Sequence, residues 1–135
     1  MEEMRVEETT KEDDPLTREI IAAAMEVHSH LGPGLLESAY RSCLAYELSK
    51  RGLKFQIEKP LPVKYKEVKL DCGYKLDIVV EDRVVLDLKA VDALHNVHQA
   101  QLLSYLKIGG YKVGLLINFH AQSLRQGLKR VVLNY

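Results

Sequence analysis

The stretch from Tyr74 to Ala90, YKLDIVVEDRVVLDLKA, constrains the fold more than any other part of the chain. It reads as two short strands joined by a tight turn at Glu81-Asp82. Val79, Val80, Val84, Val85 and Leu86 supply the β-branched and apolar content of a buried hairpin. Three ionisable residues interrupt it: Asp77 in the first strand, then Asp87 and Lys89 at the end of the second. Asp87 and Lys89 are two apart, so on a strand they point to one face. Two carboxylates and an ammonium on an apolar hairpin carry a large desolvation cost unless they meet each other or a metal. The bland reading is a structural Asp-Lys ion pair; the sharper one is a site.

The flanking periodicities place other elements around this hairpin. Leu16, Ile20, Ala24, Val27 and Leu31 recur at helical spacing, predicting a helix over 15–31 with Asp14 as N-cap and Pro15 at its first position. His28, near its end, reads as a hydrogen-bonding residue. Gly32-Pro33-Gly34 stops this helix. A second helix over about 35–51 buries Leu36, Tyr40, Cys43, Leu44, Ala45 and Leu48. Glu37 lies in its first turn, where a carboxylate complements the helix dipole; it also shares a face with Tyr40. Residues 54–58, 61–65 and 68–71 alternate like strands, with Pro60 and Pro62 marking an edge or bend. A third helix over 97–108 packs through Leu102, Leu103 and Leu106. His98, Gln101 and Tyr105 form a stripe beside that face. A buried strand over 112–118 and a basic segment with Arg125, Lys129 and Arg130 complete the chain. The order predicts an α/β (α+β) domain, a strand core with a central hairpin and helices packed on the sheet.

A chain of 135 residues is long enough for one domain with a real core. The expected division is a disordered acidic segment over 1–13 and a single domain over 14–135. Residues 1–14 carry a net charge of −5 and the remainder +5, so the body could approach a polyanion. No apolar run approaches a membrane span and no signal peptide opens the sequence, which makes a cytoplasmic protein the expectation. Cys43 and Cys72 are too few for a zinc cluster or disulfide framework and read as reduced core thiols.

The pattern Asp77-x9-Asp87-x-Lys89 resembles the signature of the PD-(D/E)XK nucleases, the restriction-endonuclease-like fold. It lies on consecutive predicted strands and is followed by a helix carrying Gln101-x3-Tyr105, similar to the QxxxY motif of that superfamily's exonucleases. Gly34-x-x-Glu37-x-x-Tyr40, within LGPGLLESAY, resembles the signature of the small GxxExxY family. DLKA, HQAQLLSYLK and VGLLINF add to the likeness, which covers about residues 15–130. Asp87 stands where that family more often has Glu, Lys75 where Arg is expected, and no Pro precedes Asp77.

The resemblance implies a Mg²⁺- or Mn²⁺-dependent nuclease acting on nucleic acid, with DNA the expected substrate. Asp77, Asp87, Glu37 and the backbone carbonyl of Leu88 would be metal ligands. Lys89 would orient the attacking water, while Gln101 and Tyr105 would position the nucleophile or a phosphate, with His98 assisting. The chemistry agrees, since oxygen ligands suit such hard cations. The alternatives are a catalytically silent nucleic-acid-binding module and an accessory interaction subunit on the same fold. A homodimer or a larger protein partner fits the small size.

Overall fold

The structure is a computed structural model and describes residues 3–7 and 14–134. Its elements are β1 (Glu3–Glu7), α1 (Pro15–Leu31), α2 (Glu37–Lys50), β2 (Phe55–Pro60), β3 (Val63–Tyr65), β4 (Val68–Leu70), β5 (Lys75–Val80), β6 (Val84–Lys89), α3 (Asn96–Gly109), β7 (Val113–Asn118), a 3₁₀ turn (Leu124–Gly127) and β8 (Leu128–Asn134). A six-stranded sheet runs in the order β1-β8-β7-β6-β5-β2, and β3 and β4 form a separate two-stranded sheet. The β6–β7 pair is parallel and every other pair is antiparallel. The crossover from β6 to β7 is α3, as a parallel pair requires.

Local sequence accounts for most boundaries. The side chain of Asp14 accepts from the Leu16 N–H at 3.1 Å and from the Thr17 hydroxyl at 3.0 Å, capping α1 above Pro15. Glu81 and Asp82 have φ of 53° and 54° in the three-residue loop between the paired Val80 and Val84, and the Arg83 N–H closes the turn on the Val80 carbonyl at 2.9 Å. Pro60 ends β2 at the edge of the large sheet, where a missing N–H costs no ladder bond.

Two apolar layers sandwich the sheet. Ile20, Ala24 and Val27 of α1 and Tyr40, Leu44 and Leu48 of α2 pack on Ile78, Val84, Leu86, Leu88 and Ile117. On the opposite face Leu102 and Leu106 of α3 pack on Val79, Val85, Leu116, Val131 and Leu133. Strict alternation along β6 therefore puts Asp87 and Lys89 on the α3 side with Val85. Gly114 allows the close approach of α3: a Cβ there would lie 2.9 Å from a Leu102 methyl.

Several expectations need correction. Residues 3–7 pair with β8 as an edge strand instead of lying in a disordered head; the rest of that expectation, 1–2 and 8–13, lies outside the described residues. Of the basic C-terminal segment, Arg125 lies in the 3₁₀ turn and Lys129 and Arg130 lie in β8, which pairs with β7 and β1. Leu36 is 77% exposed, because α2 starts one residue after it and its side chain never enters the stripe. Cys72 is exposed, in the loop before β5, whereas Cys43 is half-buried against the core as expected. No described helix is long and apolar enough to cross a membrane.

Candidate active site

Asp77 sits at an irregularity in β5. The β5–β6 ladder stops at Ile78↔Leu86, one step short of an Asp77–Asp87 pair. The β2–β5 ladder also skips this position, running from Ile57↔Ile78 to Lys59↔Leu76. The skipped partner, Glu58, has φ of 51°, a conformation that disfavours a side chain. Alternation breaks here too, since Leu76 packs on the α3 side with Val79 and not with Ile78. Freed from both neighbours, the Asp77 side chain takes over the missing bond: its Oδ2 accepts from the Leu88 N–H at 2.7 Å.

This fork opens a pocket of about 120 Å³ at the end of the two strands, space for an ion and a few waters. Glu37, Asp77, Asp87, Lys89, Gln101 and Tyr105 all line it. The six side chains expected to carry the chemistry therefore line one pocket. They come from both layers, Glu37 from α2 and Gln101 and Tyr105 from α3. Lys89 Nζ donates to Gln101 Oε1 at 3.0 Å and lies 3.4 Å from Asp87 Oδ1. Tyr105 packs against Tyr74 with ring centroids 5.9 Å apart.

Burial dominates the electrostatics. The Asp87 carboxyl is pushed up from 3.8 to about 6, chiefly by desolvation; Lys89 pulls it down, and Asp77 and Glu37 push it up further. The ion pair with Lys89 thus falls short of offsetting the cost of burial. Asp77 is also raised by desolvation, against the opposing bond from the Leu88 N–H and the charges of Lys89 and Arg41. Glu37 is raised by partial burial of its carboxyl and by Asp77. Tyr105 is raised by burial and by Asp87.

The donor set fits a divalent cation. Among the described residues Asp87 Oδ2 is a buried carboxylate oxygen without a hydrogen-bond partner, an arrangement that costs free energy unless something electropositive meets it. Three carboxylates in a polar pocket make an all-oxygen set that suits Mg²⁺ or Mn²⁺. The expected convergence is incomplete, however. Among the described residues no three His, Cys, Asp or Glu side chains are already gathered closely enough to hold an ion. Asp77 is turned to a backbone N–H and one oxygen of Asp87 to an ammonium.

Four further residues are placed by the geometry. Tyr40 is fully buried and stacks on Phe119 at 4.6 Å and 7°. Its hydroxyl donates to the Gly32 carbonyl at 2.6 Å and accepts from the Leu35 N–H at 3.1 Å. In Gly34-x-x-Glu37-x-x-Tyr40, the tyrosine ties down the loop that sets the start of α2, and Glu37 alone reaches the pocket. His98 spends its Nδ1 on the His95 N–H at 3.0 Å, capping α3, and is not among the pocket residues. Leu88 buries its side chain on the opposite face and contributes backbone only. Arg41, not singled out from the motifs, pairs with Glu58 at 2.9 Å and pulls Glu37 and Asp77 down. Its spacing from Glu37, four residues along one helix, was the available signal.

Residues 14–131 match the family model described as the PD-(D/E)XK nuclease superfamily. The chain belongs to this superfamily. Its mixed sheet flanked by helices is a restriction-endonuclease-like fold. Membership supports a nuclease-type function and a nucleic-acid substrate, and nucleases of this superfamily are generally divalent-metal dependent. Comparison with curated proteins gives no match, nor does comparison with solved structures.

Proposed function

We propose that this superfamily member is a metal-dependent nuclease that hydrolyses phosphodiester bonds in DNA, of the GxxExxY type. The observation that carries the reading is the partnerless, buried Asp87 Oδ2 in a pocket shared with Glu37, Asp77, Lys89, Gln101 and Tyr105. Asp77 and Asp87 would hold Mg²⁺ or Mn²⁺, with Glu37 and the Leu88 carbonyl completing the set. When bound, such an ion supplies charge neutralisation at the phosphoryl oxygen and an acidified water. Lys89, held by Gln101, orients the attacking water and offsets negative charge developing on the phosphate. Tyr105, braced by Tyr74, presents its hydroxyl to a phosphate oxygen.

A second reading, a catalytically silent nucleic-acid-binding or accessory module, draws support from the carboxylates not being drawn together in advance. One experiment separates the two. Mg²⁺, Mn²⁺ and Ca²⁺ are titrated by calorimetry into the wild type and Asp87→Ala, followed by cleavage assays on linear, branched and single-stranded DNA. Nuclease action requires metal binding and cleavage by the wild type and neither by the variant. Metal binding without cleavage of any substrate leaves the silent module. Light scattering with and without DNA tests the further proposal of a homodimer.

A further inference from the structure

Another cleft lies under the small hairpin formed by β3 and β4. It encloses about 520 Å³ and is lined by Lys59, Lys64, Lys69, Glu67, Tyr111 and Leu76, among others. Leu76 also lines the carboxylate pocket, so the two share a wall. The hairpin stands apart from the main sheet and is closed at its base by the Leu61 N–H bond to the Tyr74 carbonyl, 2.9 Å. The ring of Tyr74 in turn contacts Tyr105 of the pocket.

The hairpin's own charge is lopsided. Residues 63–70 carry Lys64, Lys66 and Lys69 against Glu67, whereas Lys75 of β5 pairs with Glu58 at 3.8 Å. Lys64 and Lys69 are direct cross-strand partners, and both are exposed. Like charges facing across a strand pair destabilise it. Among the described residues neither lysine makes an ion pair, whereas Lys59 is tied to Asp82 at 3.2 Å and Tyr111 at 2.7 Å. A two-stranded hairpin is marginal by itself, so a repulsive pair at its centre favours an anion that bridges the two ammoniums. A polyanion running along the cleft meets that need and is led past Leu76 toward the carboxylates.

We propose that the β3–β4 hairpin is a phosphate clamp: Lys64 and Lys69 grip the backbone of a polynucleotide strand beside the carboxylate pocket. This rests on the nuclease reading and adds where the substrate lies. The competing role for these lysines is to keep exposed strand edges from pairing with another chain.

The test measures binding of a fluorescent DNA duplex to the full chain by anisotropy, in Ca²⁺, across a salt series. The chains are the wild type, Lys64→Ala/Lys69→Ala and Lys64→Arg/Lys69→Arg. Losing two phosphate contacts lowers the slope of log K against log salt by about 1.8. The affinity advantage of the wild type over the alanine variant then shrinks roughly tenfold between about 50 and about 200 mM salt. The arginine variant keeps the wild-type slope. An unchanged slope in the alanine variant overturns the clamp while leaving the nuclease reading intact, as does aggregation of that variant with undiminished DNA binding. Equal loss in the arginine variant overturns it too, since charge would then not be the cause. Poly-glutamate competing as well as DNA of equal charge overturns it in favour of an acidic protein partner. A wild type that binds no DNA overturns the clamp together with the proposed function.

Discussion

Replacing Asp87 with Asn should stabilise the protein at neutral pH while removing its affinity for metal. Asp87 is 6% exposed, one of its oxygens has no partner, and its carboxyl is raised from 3.8 to about 6. A carboxyl raised on folding ionises less readily in the folded chain than in the unfolded one. Its contribution to stability is therefore fully present below 3.8 and is lost as pH rises through about 6. At about 1.4 kcal/mol per pH unit, the loss amounts to about 3 kcal/mol well above the folded value. Glu37 and Asp77 are raised as well and steepen the wild-type profile in the same direction. Asn carries no charge, so the variant lacks the Asp87 component. Lys89 loses its neighbour at 3.4 Å but keeps Gln101, and its pull on Asp87 is already contained in the raised value. Urea unfolding at about pH 8 should then show the variant more stable by about 3 kcal/mol, and by about pH 4 that difference should shrink by about 2.5 kcal/mol. A difference independent of pH would refute the claim that ionising Asp87 opposes folding. Mg²⁺ at a hundredfold its Kd should add about 2.7 kcal/mol to the wild type and nothing to the variant.

The other expectations are briefer. Lys89→Ala should lower the cleavage rate at least about a hundredfold, with circular dichroism and melting temperature little changed; retained cleavage would remove Lys89 from the chemistry. Metal affinity should fall as pH drops below about 6, because Asp87 must lose its proton to act as a ligand; calorimetry at several pH values reads this directly. Tyr40→Phe leaves the Gly32 carbonyl and Leu35 N–H without their partner and should cost about 1–3 kcal/mol in urea melts. Gly114→Ala drives a methyl into Leu102 and should destabilise by about 1–3 kcal/mol, lifting α3 and reducing cleavage at the same time.

What could be read from the sequence was what local physics decides. The Asp14-Pro15 start of α1, the turn at Glu81-Asp82 and the packing stripe of α3 follow from caps, turn chemistry and periodicity. The six pocket side chains were legible through the motif resemblance; spacing alone put Asp87 with Lys89, and Gln101 with Tyr105, on shared faces. Pairing partners were not legible. β8 reads as a basic segment because Lys129 and Arg130 interrupt its apolar residues, and only pairing with β7 makes it a strand. Leu36 looked buried because helical period extends one residue past the point where the helix begins. The break at Asp77 was also invisible: it arises from two neighbouring strands failing to pair at one position, which no single stretch of sequence encodes. Tyr40 and His98 carried motif-like spacing yet serve the scaffold, since a loop carbonyl and a helix N–H reach them first.

The pocket takes Glu37 from one helical layer and Gln101 and Tyr105 from the other, with the forked strands between. It consequently has no existence in a half-formed molecule. A chain that had packed only α1 and α2, or only α3, could neither gather the carboxylates nor seat the lysine, so the capacity to bind an ion arrives only with the complete domain.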